Sequence, residues 1–459
     1  MTYPEAIQYL EALINYEKIP AWPYKESLKL ERLKDFLFNI DNPQDNLRCI
    51  HIAGTKGKGS TCAFIAYILR EAGFKVGLYT SPHLSDFRER IRILNLKTGN
   101  RQLTTDFEGM ISQEELIELV EKLRPAVEEY NRNSPYGPLS FFEAYTALAF
   151  VYFKEKKVDF AVLETGLGGR LDATNVVSPL LCAITPISYE HTQKLGNTLG
   201  EIATEKAGII KSVFGVRCSV FGREPKTENR KPIVISAPQE KEAQAVIRKK
   251  CQEVGAKLYE VNKEIFCEFT DAGFKVRGIF GEYNHLKIQL LGRHQFINAT
   301  VAVGSVEALR YYNINVGMDA IRNGLDNTLW PGRCEAISRN PYIILDGAQN
   351  IASSQVLKEA IKANFSYRRL ILILGISGDK DIKGICHELS DLADEIILTR
   401  ANNPRASEPE ELAKYFNGKA VHITGNVKDA RALTYQLTQE GDLALVTGSL
   451  FVVGEFRDV

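Results

Sequence analysis

The sequence has no excess of charge of either sign. Its 57 Lys and Arg residues balance 57 Asp and Glu residues, and no long run of one sign occurs along the 459 residues. A balanced surface argues against nucleic acid or an anionic membrane as a general partner. We therefore expect small-molecule partners, with neither nucleic acid nor membrane involved.

Long apolar runs and closely spaced cysteine pairs are also missing. No stretch approaches the roughly 18 uninterrupted apolar residues of a spanning helix. The amino-terminal residues lack the basic-then-apolar layout of a secretory signal. The 8 cysteines include no Cys-x-x-Cys pair, and most lie inside apolar runs, which is typical of reduced, buried thiols. We expect a cytoplasmic location, and we also expect a monomer.

The length of the chain and its apolar pattern predict an α/β protein with more than one domain. A chain of 459 residues is too long for one compact core. Runs rich in β-branched residues precede glycine turns and helical patterns, which is typical of strands buried in a parallel sheet. These runs are "RCIHIAG", "VDFAVLETG", "LCAIT" and "KPIVIS". The segment "STCAFIAYILREAG" between them predicts an amphipathic helix that ends at Gly73.

The pattern changes twice farther along the chain. From about 258 to 292, short alternating pieces broken by glycine predict a small antiparallel hairpin region. The turn in "NTLWPGRCE" predicts a domain boundary, with residues 1–329 and 334–459 as domains and 330–333 as a linker. Alternating strands and helices after it predict a second, doubly wound Rossmann-like domain. The polar segment 95–115 predicts a loop.

The stretch "GTKGKGS" at residues 54–60 departs from the usual spelling of a phosphate-binding loop. Ile52 occupies the early glycine position, and Gly59 separates Lys58 from the hydroxyl residue Ser60. An apolar strand nevertheless runs into this turn, and a helix follows it directly, so backbone N–H groups converge on one point. The context predicts a nucleotide-phosphate site, and the alternative is a simple strand-to-helix turn.

Several long motifs occur in an order that resembles one enzyme family. They are "HIAGTKGKGSTCAF", "YTSPHLSDFRERIRI", "LETGLGGRLDATN", "EHTQKLGNTLGEIATEKAGIIK", "HQFINA", "WPGR" and "LDGAQN". Together they resemble folylpolyglutamate synthase and dihydrofolate synthase, of the ATP-dependent Mur ligase superfamily. The extra residue before the loop hydroxyl is normal in that superfamily. The resemblance implies that ATP phosphorylates a folate carboxylate, and that the amino group of L-glutamate attacks the resulting acyl phosphate.

The resemblance also implies two Mg²⁺ sites and a nucleotide site. Ser60 would serve the nucleotide-bound magnesium, and Ser81, Glu164 and His191 would hold the second. Arg333 would engage the phosphates as the two domains close. The implied nucleotide-binding residues are Lys56, Gly57, Lys58, Gly59, Ser60, Asn298, Arg333 and Asp346. The implied catalytic residues are Lys58, Glu164, His191 and Lys206.

Lys206 carries a further implication of the resemblance. Relatives often carboxylate the lysine at this position, which would turn a cation near magnesium into an anion. The alternative is an unmodified lysine paired with Glu205 or with a phosphate. The implied substrate-binding residues are Ser140, Phe141, Phe142, Glu143, Leu171, Asp172 and Ala173, with the two aromatic rings available for stacking on a pterin.

Two positions depart from the family pattern, and two other functions are open. Glu190 and Gln349 stand where many relatives have aspartate and histidine, which puts an acid-base role for residue 349 in doubt. One alternative function is a Mur ligase acting on a UDP-linked cell-wall precursor, although "TSPHL" and "LETGLGGRLDATN" favour the folate branch. The other is a non-catalytic nucleotide-binding module, although no Asn-Lys-x-Asp guanine box occurs.

Overall fold

The computed structural model describes residues 1–19, 22–96, 107–211, 232–270 and 273–458. The chain forms two compact units. The first comprises Met1–His83, Phe87–Gln289 and Phe296–Thr328, and the second comprises Leu84–Asp86, Leu290–Gln295 and Leu329–Val459. Residues 330–333, which were expected to form a linker, group with the second unit. Their role as a linker stays a prediction.

The first unit is built on a sheet in which the described residues form seven strands in the order β3-β2-β4-β1-β5-β6-β7. All neighbours pair in parallel except β2 and β3. Burial along β1, β4, β5 and β6 is complete, which confirms the predicted parallel sheet. The strands are β1 (Cys49–Ala53), β2 (Val76–Tyr79), β3 (Ile91–Leu94), β4 (Phe160–Glu164), β5 (Leu181–Ile184), β6 (Ile233–Ser236) and β7 (Lys257–Glu260).

A separate antiparallel sheet follows in the order β10-β9-β8. It confirms the predicted hairpin region, but its start was predicted too early. Residues 257–260 instead form the edge strand of the large sheet, because they pair in parallel with β6. The three strands are β8 (Phe266–Thr270), β9 (Gly273–Arg277) and β10 (Glu282–Leu286).

The helix that follows the glycine-rich loop is buried almost all round, so the prediction of an amphipathic helix was wrong. Every residue from 60 to 70 is buried, because this helix packs between strands β1, β2 and β4 and a later helix. The helices before residue 329 are α1 (Tyr3–Glu11), α2 (Tyr24–Ser27), α3 (Leu30–Phe38), α4 (Lys58–Glu71), α5 (Gln113–Asn133), α6 (Phe141–Glu155), α7 (Thr192–Leu195), α8 (Leu199–Ala207), α9 (Lys241–Val254), α10 (Arg293–Ala308) and α11 (Met318–Asp326).

The second unit is a further α/β sheet, in the order β11-β12-β16-β13-β14-β15. Only β11 pairs antiparallel, which confirms the predicted second parallel α/β unit. Its strands are β11 (Glu335–Arg339), β12 (Tyr342–Leu345), β13 (Leu370–Leu374), β14 (Glu395–Leu398), β15 (Ala420–Ile423) and β16 (Leu443–Thr447). Its helices are α12 (Ile351–Asn364), α13 (Ile382–Ser390), α14 (Pro409–Ala413), α15 (Val427–Leu437) and α16 (Leu450–Asp458).

Candidate active site

The glycine-rich loop joins β1 to α4 and is fixed to the segment that follows β5. The backbone N–H groups of Thr55 and Lys56 donate to the Pro186 carbonyl at 3.0 and 3.3 Å. The Thr55 hydroxyl donates to the Ser188 carbonyl and accepts from the Ser188 N–H, each at 3.1 Å. The loop therefore holds its shape through contacts with a neighbouring strand end, as a preformed anion site requires.

Two glycines in this loop have backbones that few other residues could adopt there. Gly57 has φ 82°, and a Cβ at Gly57 would lie 2.2 Å from Oδ1 of Asn298. Gly54 has φ 152°, and a Cβ there would lie 1.9 Å from Oγ1 of Thr185. The close approach at Gly57 brings Asn298, on α10, directly beside the loop. Gly57 and Asn298, both expected to bind the nucleotide, thus lie side by side although they are about 240 positions apart in sequence.

The start of α4 presents the groups that an anion needs. Lys58, Gly59 and Lys56 are partly exposed, whereas Ser60 is buried within the first turn. Free backbone N–H groups and the helix dipole at this end favour a bound phosphate, and Lys58 adds a full positive charge. Burial lowers the pKa of Lys56, while the nearby Glu190 carboxylate acts in the opposite direction. The geometry therefore fits an anion site with cationic side chains beside it.

Glu164 lies at the carboxyl end of β4, next to the loop strand. It pairs in register with Ile52 of β1, and only 6% of the residue is exposed. Its Oε2 accepts a hydrogen bond from the Ser81 N–H at 3.1 Å, so Ser81 and Glu164 adjoin each other. A buried carboxylate beside a hydroxyl residue offers the oxygen ligands that Mg²⁺ prefers, and the cation keeps several waters as further ligands.

His191 lies in an exposed turn before α7 and has a left-handed backbone, with φ 51°. Among the described residues, no group of three or more His, Cys, Asp and Glu side chains forms a metal cage. A magnesium site here would therefore depend on the few oxygens around Glu164 and on water, which suits this cation. The participation of His191 stays a prediction.

Lys206 reaches the glycine-rich loop from the last turn of α8. Its Nζ donates to the Gly54 carbonyl at 2.7 Å, and the residue is buried. Burial, together with the positive charge of Lys58, lowers the pKa of Lys206 to about 7. The alternative pairing with Glu205 is wrong, because the Glu205 carboxylate accepts from Arg170 at 2.8 Å instead.

The residues expected to bind the pterin at the start of α6 are mostly engaged within the protein. Ser140 is the N-cap of α6, and its hydroxyl donates to Glu143 at 2.7 Å. The same Glu143 carboxylate forms a buried ion pair with Arg32, at 2.9 Å. Phe141 is fully buried, whereas Phe142 is partly exposed. Stacking on a ligand therefore suits Phe142 better than Phe141, whereas Ser140 and Glu143 cap α6 and Glu143 pairs with Arg32.

The second expected substrate segment, residues 171–173, closes a small loop after β4. Oδ2 of Asp172 accepts from the N–H groups of Gly166 and Leu167, both at 2.9 Å. Burial raises the pKa of the Asp172 carboxyl, against the opposing effect of its hydrogen-bond donors. Leu171 is partly exposed, and Ala173 is buried. Asp172 therefore shapes the loop, and Leu171 is the member with surface available for a ligand.

The second unit contains the remaining expected nucleotide residues. The two oxygens of Asp346 accept from the N–H groups of Cys334 and Ala348, each at 2.8 Å. Burial raises the pKa of Asp346, and the Arg333 guanidinium acts in the opposite direction, so these two side chains are close. Gln349 precedes the N-cap of α12. Whether Arg333, Asp346 and Asn298 serve one nucleotide stays a prediction.

Comparisons with known proteins place these features in a family. Residues 126–306 match the Mur ligase middle domain, and residues 332–450 match the Mur ligase glutamate ligase domain. The dihydrofolate synthase/folylpolyglutamate synthase of Bacillus subtilis is 34% identical over 437 residues, which cover 93% of this chain and 94% of that protein. The chain belongs to the dihydrofolate synthase/folylpolyglutamate synthase family. The sequence-based identification of the family and of an ATP-dependent ligase is thereby confirmed.

Solved structures of family members share this fold. Folylpolyglutamate synthase of Mycobacterium tuberculosis, complexed with ADP, superposes with a TM-score of 0.83 at 28% identity, covering 99% of this chain and 97% of that one. A bifunctional folylpolyglutamate synthase/dihydrofolate synthase of Yersinia pestis, complexed with AMPPNP and a manganese ion, gives 0.79 at 26% identity, covering 99% and 97%. These relatives support adenine nucleotide and divalent metal as ligands of the family.

Sequence reasoning missed one cluster in this family member. Glu205 accepts from Arg170 and from the Tyr24 hydroxyl, the latter at 3.2 Å, while the next residue, Lys206, contacts the glycine-rich loop. A Cβ at Gly169 would lie 2.7 Å from the Lys206 carbonyl oxygen, so α8 and the loop after β4 pack tightly. Arg170 and Glu205 both lie in recognisable motifs, but no spacing rule joins them.

Proposed function

We propose that this protein is an ATP-dependent ligase that joins L-glutamate to a folate, to dihydropteroate, or to both. The observation that carries the proposal is the structure of the loop at residues 54–60. Asn298 lies beside Gly57 of this loop, and Lys206 donates a hydrogen bond to the Gly54 carbonyl. In a chain of this family, this arrangement supplies cations and N–H groups at the place where the two anionic substrates, ATP and the pterin carboxylate, must come together. The B. subtilis relative carries both activities in its name.

The chemistry requires a poor electrophile to be activated before an amide can form. A carboxylate oxygen of the folate attacks the γ-phosphorus of ATP, the bond to the β-phosphate breaks, and ADP leaves. The amino group of glutamate then attacks the acyl carbon, loses a proton, and displaces phosphate. Both substrates of the first step are anions, so the step depends on groups that neutralise and orient them.

The chain's own residues divide this work. Lys58 and the N–H groups at the start of α4 hold the nucleotide phosphates, and Asn298 lies beside them. Ser60, Ser81 and Glu164 supply oxygens for Mg²⁺, which when bound neutralises phosphate charge. The Phe142 ring and Leu171 offer apolar surface to the folate. Glu164 ends a strand, and Lys58, Ser60, Phe142 and Asn298 lie on helices, so these groups need little reorganisation on binding.

Two finer features belong to the same proposal. We infer two magnesium sites, one at Ser60 and one at Ser81 and Glu164, with His191 as a further ligand. We also infer that Lys206 is carboxylated by CO₂. The lowered pKa of Lys206 supports this, because only the neutral amine attacks CO₂, and the product is an anion that suits a nearby cation.

A parallel assay tests the proposal. Wild-type protein is mixed with ATP, Mg²⁺ and L-glutamate, and with either dihydropteroate or tetrahydrofolate, and phosphate release is followed together with product mass. We expect phosphate release that depends on the pterin substrate and on glutamate, with a mass gain of one glutamyl residue. Lys58→Ala should retain its fold by circular dichroism and lose turnover. Nucleotide binding without ligation of either substrate would contradict the proposal.

A further inference from the structure

His51 is a histidine in the middle of the central strand of the first unit. It lies on β1, three residues before Gly54, and it is fully buried. Its neighbours in register are Leu163 of β4 and Cys182 of β5. The ligation chemistry described above does not use it, and its place in an apolar strand would suit an aliphatic residue better.

The His51 ring begins a chain of hydrogen bonds to the loop that follows β4. Its Nε2 lies 2.8 Å from Oγ1 of Thr174, and the Thr174 hydroxyl lies 2.5 Å from Oδ1 of Asp172. The carboxylate can only accept, so the single hydroxyl proton of Thr174 goes to Asp172. His51 must therefore donate Nε2–H to Thr174, which assigns the imidazole tautomer from the network.

Asp172, at the far end of this series of hydrogen bonds, holds the loop after β4 closed. The second oxygen of Asp172 accepts from the N–H groups of Gly166 and Leu167, and the Thr174 N–H donates to Oδ1 at 3.0 Å. Residues 166–174, which we call the folate loop, therefore connect through one carboxylate and one hydroxyl to the strand that leads into the glycine-rich loop. The folate loop also begins two residues after Glu164.

Stability alone gives a weak reason for histidine at this position. Its Nδ1 is buried and has no hydrogen-bond partner among the described residues, and an unpaired buried acceptor costs free energy of folding. Burial, with a contribution from Lys211, lowers the pKa of His51 to about 3, so the ring is neutral at physiological pH. Within the described part of the chain, the hydrogen bond that the ring makes is the one from Nε2–H to Thr174.

We propose that His51 and Thr174 are positioning residues that fix the folate loop to strand β1, and thereby set the folate carboxylate against the nucleotide phosphates. The proposal rests on the proposed function, since it takes the folate loop as part of the substrate site. Both residues are fully buried, so we assign them no direct contact with the reacting atoms. Their effect is geometric, and it reaches the substrate through Asp172.

Two substitutions at Thr174 separate positioning from packing. Thr174→Val keeps the side-chain shape and removes the hydroxyl, whereas Thr174→Ser keeps the hydroxyl and removes a methyl group. We expect Thr174→Val to raise the KM for the pterin substrate about tenfold or more, since small misplacements of a substrate are costly. We expect Thr174→Ser to stay within about threefold of the wild type. The affinity for Mg-ADP, measured by calorimetry, should be equal in all three proteins.

A second pair of variants, at His51, tests the proposal even where a Thr174 variant fails to fold. His51→Leu removes the Nε2–H donor, and His51→Gln restores an amide N–H in its place, so the glutamine variant should recover most of the pterin KM lost in the leucine variant. Equal effects in both members of a pair, or a Thr174→Ser defect larger than that of Thr174→Val, would show packing and overturn the proposal. A parallel loss of Mg-ADP affinity would do the same. A wild-type chain without ligase activity would instead refute the proposed function.

Discussion

Burial gives Lys206 a chemistry that an exposed lysine lacks. Its ammonium form is disfavoured by lost hydration and by the positive charge of Lys58, and the pKa falls from 10.5 to about 7. The neutral amine can still donate a hydrogen bond to Gly54, so the contact survives deprotonation. The same burial that brings Lys206 to the loop therefore makes it nucleophilic near neutral pH.

We predict that Lys206 forms a carbamate with a pH dependence centred near neutrality. The amine is neutral above the folded pKa of about 7, so its reaction with CO₂ should rise between roughly pH 6 and pH 8 and then level off. Carbon-13 NMR of protein equilibrated with ¹³C-bicarbonate should show a carbamate signal that Lys206→Arg lacks. An onset near pH 10, or a signal unaffected by Lys206→Arg, would contradict the prediction.

Glu164 should control the response to magnesium. Glu164→Ala removes a buried carboxylate at the carboxyl end of β4, and we expect the magnesium concentration for half-maximal activity to rise roughly tenfold. Asp159→Asn is a matched control, because that carboxylate accepts from the Lys75 N–H at 2.8 Å just before the other end of the strand. Its magnesium titration should equal that of the wild type. An unchanged titration in Glu164→Ala would remove this residue from the metal site.

At the scale of elements, the turn between β1 and α4 depends on glycine. Gly57→Ala would combine a positive φ with a Cβ only 2.2 Å from Asn298, so we expect Mg-ADP affinity to fall by about tenfold or more. Gly73→Ala is the control, because φ there is 91° but nothing lies within 4 Å of the added Cβ. It should unfold at a lower temperature and still bind Mg-ADP normally. Equal nucleotide affinity in both variants would contradict the role given to this turn.

The elements themselves were largely predictable, with failures where tertiary context or capping decides. Fully buried strands such as β1 and β4 follow from their apolar runs. The polar segment 95–115 was expected to be a loop, yet α5 begins at Gln113, behind a capping box of Ser112 and Glu115 that the sequence already spells. Residues 97–106 of that segment lie outside the described residues. Burial of both sides of α4 was signalled by its own composition, since residues 61–69 carry no charged side chain, and a helix that is apolar all round is usually buried.

At the scale of the whole molecule, the site depends on contacts that no local pattern contains. Sequence motifs indicate Lys206 and Gly54 separately, but the hydrogen bond between them joins residues 152 positions apart. The bond between His51 and Thr174 spans 123 positions. Chain topology creates these pairs, since parallel strands bring distant segments to a common edge. Motifs therefore predicted the chemical groups, whereas the partners of those groups required the fold.

Nucleotide binding should raise the thermal stability of the part of the protein that holds the nucleotide. A ligand that binds only the folded state, at a concentration one hundred times its Kd, adds about 2.7 kcal/mol to the free energy of unfolding. For a large unit this corresponds to a rise in Tm of roughly 5 °C. Scanning calorimetry with and without Mg-ADP should show this shift in at least one transition. Lys58→Ala, which removes a cation from the phosphate site, should lose most of it. A shift of equal size in Lys58→Ala would place the nucleotide elsewhere.

The magnesium role proposed for His191 would set turnover against thermal stability, because this residue has a left-handed backbone. A non-glycine residue with φ 51° costs about 1 kcal/mol that glycine would avoid. His191→Gly should therefore melt at a slightly higher temperature while it requires more magnesium for turnover. A laboratory selection for heat resistance alone would favour this replacement. The selected proteins would have a higher melting temperature and a lower ligase activity at a given magnesium concentration.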